Sequence, residues 1–497
     1  MSHSLESSLK AASPRHSPPP TPLRSYLIHG GVLLLWLGLF GMAFRFTGVL
    51  AWSTGLVYVA YDTALLVFVF WQTLSLARDR VEASMPRTAT AVAAQPWVSV
   101  GVIVAAHDEA TVLPVTLAAL LGQRQPPDEI VIADDGSTDA TADVLLHLYG
   151  LTPPSPGAMS APSPTHPTLR WLRLPHGGKA RALNAAILQM TTDTVLTVDG
   201  DTLLEPLAIG VVRDAFTAEA ALVAATGVLA PVCQATLSGR LFQWFQTYEY
   251  MRNFLSRYAW MRVNSLLLIS GAFAGFRRKA LLEVGGFDAD CLVEDYELIH
   301  RLRRYATLNG LDWTTRVLGG ARARTEAPGT VGAFLRQRRR WFGGFLQTQY
   351  WYRDMVGDKR HGWLGLAMLP VKAVDTLQPL YGLTAFFLLL YYMLNGSLGV
   401  LAPVGAVIAS KIVIDLAFHL WSVHLYRRWA ESDQVSTASS QVGTARASFG
   451  FALLAALLEP FTFQLLRHTG AAWGWLAFLT GKRQWGKQSR GGLLPPA

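Results

Sequence analysis

Cysteine is nearly missing from this chain: 497 residues contain two, Cys233 and Cys291. That is too few for a disulfide scaffold or a thiolate metal site, and it suits a reducing compartment. Charge is scarce as well, with Asp, Glu, Lys and Arg making up 15 %. Two nucleotide-binding signatures are absent. The first strand-like segment runs into Ala105-Ala106-His107-Asp108-Glu109 without Gly-x-Gly-x-x-Gly, which argues against NAD or FAD. No Gly-x-x-x-x-Gly-Lys-Ser/Thr stretch occurs, which removes the P-loop reading. Acidic residues are the minority, 34 against 43 basic, for a net charge of +9. In so apolar a chain that excess points to anionic headgroups or phosphates, and nucleic acid is not an expected partner.

What the chain has in abundance is apolar surface. It is 51 % hydrophobic, with 16 Trp and 23 Phe and a mean hydropathy of +0.27. That excludes a disordered or fibrous chain and is too apolar for an ordinary soluble enzyme. The apolar residues concentrate at 26–76 and beyond 362. Residues 1–25, rich in Ser, Pro and basic groups, read as a disordered cytoplasmic tail. Residues 26–78 read as two transmembrane helices joined by a short loop, because no small-residue cleavage site comes after the first run. Arg78, Asp79 and Arg80 then place the chain from residue 80 onward on the cytoplasmic side of the plasma membrane. Residues 351–480 read as interfacial and transmembrane helices. The stretch 364–394 contains Pro370, Lys372, Asp375 and Pro379, which suits an interfacial segment running into a span. A further span at 400–426 ends at Arg427 and Arg428, and 449–466 is broken by Glu459-Pro460. The basic tail, 481–497, should be cytoplasmic, so four spans plus a re-entrant or interfacial pair are expected. Asp62, Lys411 and Asp415 are ionisable groups inside these runs; they read either as a structural ion pair or as a polar conduit.

Between the apolar regions, 97–350 alternates strand and helix patterns. Strands are expected at 98–105, 129–133, 169–174, 194–198 and 222–226, with helices at 111–121, 140–148, 180–190 and 206–217. Such alternation specifies an α/β, Rossmann-like, mostly parallel sheet. The Pro- and Ser-rich stretch 152–168 reads as a mobile surface excursion.

The chemistry-bearing motifs sit at strand and helix ends. Asp134-Asp135-Gly136-Ser137 comes after the second strand, where open sheets bind ligands; it also suits an ordinary capped turn. Asp199-Gly200-Asp201 ends the fourth strand, and two hard oxygen donors there suit Mg²⁺ or Mn²⁺, or again a turn. Glu294-Asp295 opens a helix, as a cap or as a general base. Gln337-Arg338-Arg339-Arg340-Trp341 precedes the membrane region, as an interfacial anchor or as a guanidinium for diphosphate beside an indole platform.

Taken together with Gly178-Lys179, the order and spacing of these motifs resemble the membrane-bound family-2 inverting glycosyltransferases, the group of cellulose, chitin, hyaluronan and poly-N-acetylglucosamine synthases. The resemblance implies a cytosolic GT-A domain over 97–350, inserted between transmembrane helices, a UDP-sugar donor, and a glycan or lipid acceptor. It implies that Glu109, Asp134, Asp135 and Lys179 contact the nucleotide, and that Asp199 and Asp201 hold nucleotide and metal. It implies Asp295, with Glu294 beside it, as catalytic base, and Gln337, Arg340 and Trp341 around diphosphate and acceptor. Ser270-Gly271-Ala272 matches an acceptor-lining segment. Val293 departs from the Thr-Glu-Asp or Gly-Asp-Asp of many polymerising members, which leaves processivity open. The expected activity is β-glycan polymerisation with export. A single transfer to a lipid and an inactive membrane scaffold are the alternatives.

Overall fold

The computed structural model describes residues 2–78, 97–430, 449–481 and 493. Asp79, Arg80 and the basic residues of the expected tail lie outside them. Helices α1 (Ser2–Ala12), α2 (Leu23–Met42) and α3 (Ser53–Arg78) precede the sheet. Next come β1 (Val100–Ala106), α4 (Leu113–Leu121), β2 (Glu129–Asp135), α5 (Thr141–Tyr149), β3 (Leu169–Leu174), α6 (Lys179–Gln189) and β4 (Thr194–Asp199). The chain goes on through β5 (Thr202–Leu204), α7 (Ala208–Ala218), β6 (Leu222–Val232), α8 (Leu237–Arg262), β7 (Phe273–Arg277) and α9 (Arg278–Val284). It ends with α10 (Glu294–Leu308), β8 (Thr314–Glu326), α11 (Val331–Trp351), α12 (Leu369–Leu394), α13 (Leu398–Ala430), α14 (Phe449–Leu458) and α15 (Phe463–Leu479).

The sheet runs β3-β2-β1-β4-β7-β6-β8-β5. Its first four strands are parallel. β7 runs antiparallel to both β4 and β6, so the second half is mixed, the GT-A layout. β1 is an unbroken apolar run because helices cover both of its faces. Val102 and Val104 pack with Leu113, Leu117 and Leu145 on one side. Ile103 faces the other way, toward Leu183 and Ile187. The register pairs Ala105 of β1 with Ala133 of β2 and with Asp199 of β4, so both aspartate-bearing strand ends share one edge.

Three stretches read from the sequence fold differently from expectation. Residues 2–12, expected to be disordered, form α1, with Leu5 and Ala12 buried. The apolar residues at 5, 9 and 12 give one helical stripe, which has a surface on α9 to cover. The excursion at 152–168 is hydrogen-bonded along the outer edge of β3: Ser160 N–H donates to Trp171 O at 2.8 Å, and Gly157 N–H to Arg173 O at 2.7 Å. It covers strand edge that would otherwise be open. The stretch 364–394 is one continuous helical segment, a π turn at Leu364–Met368 leading into α12. Pro370 is accommodated in the first turn of α12, and Lys372 pairs with Asp375 at 2.8 Å, so neither breaks the helix.

Among the described residues, four segments are long and apolar enough to cross a membrane: Leu23–Met42, Gly48–Ala77, Leu364–Leu394 and Leu398–Tyr426. The pair α14–α15, joined through the 3₁₀ turn Glu459–Phe461, is not among them. α15 lies against α11 through glycine: a Cβ on Gly474 would stand 2.8 Å from Phe342 Cβ and 3.0 Å from Gly343 N. Lys411 sits between Asp62, at 2.7 Å, and Asp415. These three groups make an ion cluster between α3 and α13.

Candidate active site

A cavity of about 1370 Å³ opens at the carboxyl edge of the sheet and continues down to α12. Glu109, Asp135, Lys179, Asp199, Asp201, Glu294, Asp295, Gln337, Arg340 and Trp341 all stand on its wall. Asp134 does not, which corrects its expected place beside Asp135. Neighbouring residues of a strand point to opposite faces. The Asp134 carboxylate accepts Ser137 N–H at 2.9 Å and the Trp171 indole N–H at 3.2 Å, holding the turn to the core. Asp62, Lys411 and Asp415 are likewise absent from the wall.

Asp135 ties the second strand end to the loop before α6. Its carboxylate accepts Gly177 N–H at 2.7 Å and Gly178 N–H at 2.9 Å. Gly136 has φ +68°, and a Cβ there would lie 2.6 Å from His176 N, so only glycine suits the turn. His107 and His176 stack above Asp135 with ring centroids 4.5 Å apart. Reading the motifs alone passed over both imidazoles; their signal is weak, a histidine directly after β1 and another directly before the Gly177-Gly178 pair.

Lys179, the first residue of α6, is the electrostatic centre of the cavity. Its ammonium pairs with Asp199, lies 3.9 Å from Glu294, and donates to Gly271 O at 3.4 Å. Burial works against its charge, but Asp199 and Glu294 outweigh burial and raise its pKa. Burial, followed by the charge of Asp199, pushes Asp201 up to about 7. Burial also raises Glu294, against the pull of Lys179. Asp199, Asp201, Glu294 and Asp295 thus crowd more carboxylate around Lys179 than this one ammonium offsets, an arrangement that a divalent cation relieves. Asp199 and Asp201 offer hard oxygen donors alone, the set that suits Mg²⁺ or Mn²⁺. A second, mixed donor set exists at His107, Asp135 and His176, whose ligand atoms lie within 4.8 Å of one another.

Glu294 and Asp295 form the first turn of α10. Asp295 accepts Gly271 N–H at 2.6 Å and Tyr296 N–H at 2.9 Å, which fixes its carboxylate toward the cavity. From α11, Arg340 reaches across and donates to Leu292 O at 3.1 Å. Arg338 turns instead to α8, where both of its terminal nitrogens meet the Glu249 carboxylate, at 2.8 and 2.7 Å. Its guanidinium also lies 4.6 Å from the Trp341 ring. Arg339 points away, over Trp473. Tyr250, Arg257 and the Lys372–Asp375 pair complete the deeper wall; tertiary packing sets their nearness to the motifs, and no local pattern marks Tyr250 or Arg257.

The family model for glycosyl transferase family 2 matches residues 101–285, and that for glycosyl transferase family group 2 matches 194–401. Residues 101–401 thus match family-2 glycosyltransferases. It is 26 % identical over 254 residues to a poly-beta-1,6-N-acetyl-D-glucosamine synthase of Staphylococcus epidermidis, covering 50 % of this chain and 56 % of that one. Against the synthase of the same name from Staphylococcus aureus (strain COL) it is 26 % identical over 253 residues, 49 % of this chain and 53 % of the other. The alignments therefore span a little over half the length of these relatives. Among solved structures, the chain is similar in fold to a mannosyltransferase of Pyrobaculum calidifontis in complex with GDP-Man and Mn²⁺. The TM-score is 0.52 at 18 % identity, covering 83 % of this chain and 99 % of that one.

Proposed function

We propose that this glycosyltransferase is a multi-pass protein of the plasma membrane that transfers the sugar of a UDP-sugar, N-acetylglucosamine or glucose, into a β-glycan, processively and with export. In this reading the catalytic domain, 97–350, faces the cytosol, while 26–78 and 351–480 are its membrane parts. One observation carries it. A single cavity gathers Asp135, Lys179, Asp199, Asp201, Asp295 and Arg340 from widely separated stretches and continues to a membrane-length helix at Lys372 and Asp375. The relatives' names support N-acetylglucosamine and a β-linked product.

Each residue then has a task. Asp135 and Glu109, at adjacent strand ends, meet the nucleoside. Asp199 and Asp201 would hold Mg²⁺ or Mn²⁺, which when bound neutralises charge gathering on the diphosphate. Lys179 and Arg340 add fixed positive charge beside the departing UDP, with Gln337 orienting it. Asp295, with Glu294 beside it, takes the proton of the acceptor hydroxyl as that oxygen attacks C1. The C1–phosphate oxygen bond breaks on the opposite face, so an α-linked donor gives a β-glycoside. Trp341, held by Arg338, presents a flat apolar face to the acceptor glycan.

The test is incubation of membranes carrying the protein with a panel of sugar nucleotides, followed by sizing of the product. Polymer made from a UDP-sugar is the expected result. Single-sugar glycolipid would overturn processivity, and incorporation from GDP-mannose but from no UDP-sugar would overturn the donor assignment.

A further inference from the structure

Residues 285–293 join α9 to α10 and lead directly into Glu294 and Asp295, so the placement of both carboxylates depends on this loop. Its core-facing side is pinned twice. Asn184 exchanges two hydrogen bonds with the Phe287 backbone, at 2.7 and 2.8 Å. Gln347 of α11 accepts Leu292 N–H at 3.1 Å and donates to Asp290 O at 3.3 Å. Arg340 adds its bond to Leu292 O, and a further clamp comes from far away in sequence. Arg15 Nη2 donates to Asp288 Oδ1 at 3.0 Å, and Nη1 donates to Asp290 Oδ2 at 2.7 Å.

Asp288 has a side chain only 1 % exposed, and its carboxylate also accepts the Asp290 N–H at 3.0 Å, closing the turn. A buried carboxylate needs a countercharge, and among the described residues Arg15 is its ion-pair partner. The segment that delivers Arg15 is itself fastened at both ends. α1 lies so close to α9 that a Cβ on Gly285 would come within 2.2 Å of Leu9 N. Arg15 stacks on Trp351 at 5.4 Å, Thr21 accepts from Arg353 at 2.5 Å, and Arg24 pairs with Asp358 at 2.8 Å. This strap therefore runs from the start of α2, along the end of α11, to the loop before the two carboxylates.

We infer that Arg15 is a positioning residue: its fork on Asp288 and Asp290 holds the 285–293 loop so that Asp295 meets the acceptor hydroxyl. The inference rests on the proposed role of Asp295. Arg15 touches neither donor nor acceptor, so its loss should alter turnover and leave donor affinity alone. A lysine at this position keeps the charge but reaches one carboxylate at a time, so it should restore part of the function.

The test uses the full chain in detergent or nanodiscs, comparing Arg15→Gln, Arg15→Lys and Asp290→Asn with the parent. Three experiments are run: steady-state kinetics giving kcat and KM for the UDP-sugar, UDP affinity by calorimetry, and hydrogen–deuterium exchange of peptides covering 285–295. Arg15→Gln should speed exchange in that loop and lower kcat about 10- to 100-fold, with UDP affinity within about twofold of the parent. Arg15→Lys should fall between. Asp290→Asn, which keeps the buried Asp288 contact, should show a smaller loss and remains readable if Arg15→Gln folds poorly. Unchanged exchange in the loop overturns the inference, as does a fall in UDP affinity equal to the fall in kcat. Faster exchange with no loss of turnover overturns the positioning role. If the parent transfers no sugar while Arg15→Gln still speeds loop exchange, the catalytic reading fails and the strap's hold on the loop stands.

Discussion

The backbone N–H of Gly271 donates to Oδ2 of Asp295 at 2.6 Å. The contact is possible because residue 271 has no side chain: a Cβ there would lie 3.0 Å from that same oxygen and 3.1 Å from Asp295 Cβ. One amide therefore both orients the proposed base and sets how closely the 270–272 segment approaches it.

We expect Gly271→Ala to displace the Asp295 carboxylate while leaving the nucleotide side of the cavity in place. Turnover should drop by about 10- to 100-fold, the usual result of misplacing a reacting group by roughly 1 Å. UDP affinity measured by calorimetry should change little. Turnover equal to the parent's would mean that the carboxylate does not need this amide.

Asp295→Asn removes the proton acceptor and keeps the shape. Transfer should fall by at least about 100-fold, the lower end of what general-base catalysis contributes. Calorimetric UDP binding should persist. A parallel loss of both would move Asp295 into the nucleotide site.

Asp201→Asn replaces a hard ligand with a neutral amide. Manganese-dependent UDP binding should weaken by about tenfold or more, because the diphosphate loses part of its charge compensation. Titrating UDP with and without EDTA checks this. Equal binding in the parent with and without the chelator would remove the metal from these residues.

Glu297 and Arg301 are both fully buried and paired at 2.7 Å, and the Tyr352 hydroxyl also donates to Glu297 at 2.5 Å. Arg301→Met leaves that carboxylate without its cation and should cost about 3–5 kcal/mol of stability. Combining it with Glu297→Leu should recover most of the loss. Thermal unfolding in detergent would show it, and a single mutant as stable as the double would contradict the argument.

Much of the site was legible because its motifs are local. Asp135, Asp199 and Asp201 sit where a strand ends, and strand ends can be read from apolar runs stopped by Gly and Asp. Lys179 and Asp295 open helices, and Arg340 and Trp341 share a helix with Gln337 one turn earlier, so 3.6-residue periodicity puts all three on one side. β8 was missed although its burial alternates residue by residue. Its outward positions include the charged Arg316, Arg322, Arg324 and Glu326, and of its inward ones, Thr315, Val317, Gly319, Ala321, Ala323 and Thr325, Val317 alone is a sizeable apolar side chain, too little to read as an apolar run.

What the amino-acid order determined alone is the class of protein: an α/β domain with family-2 motifs, set between apolar helices. Composition and short-range periodicity suffice for that, since they report burial one element at a time. Tertiary structure decided which charges share a space. It took Asp134 out of the cavity and into a turn, and it brought His107 and His176 together over Asp135. It turned Arg338 to Glu249 and joined Lys411 to Asp62. It also laid Arg15 on Asp288, across 273 residues of chain. Pairings of that kind depend on helix rotation and on the path of the backbone, which local propensity does not encode.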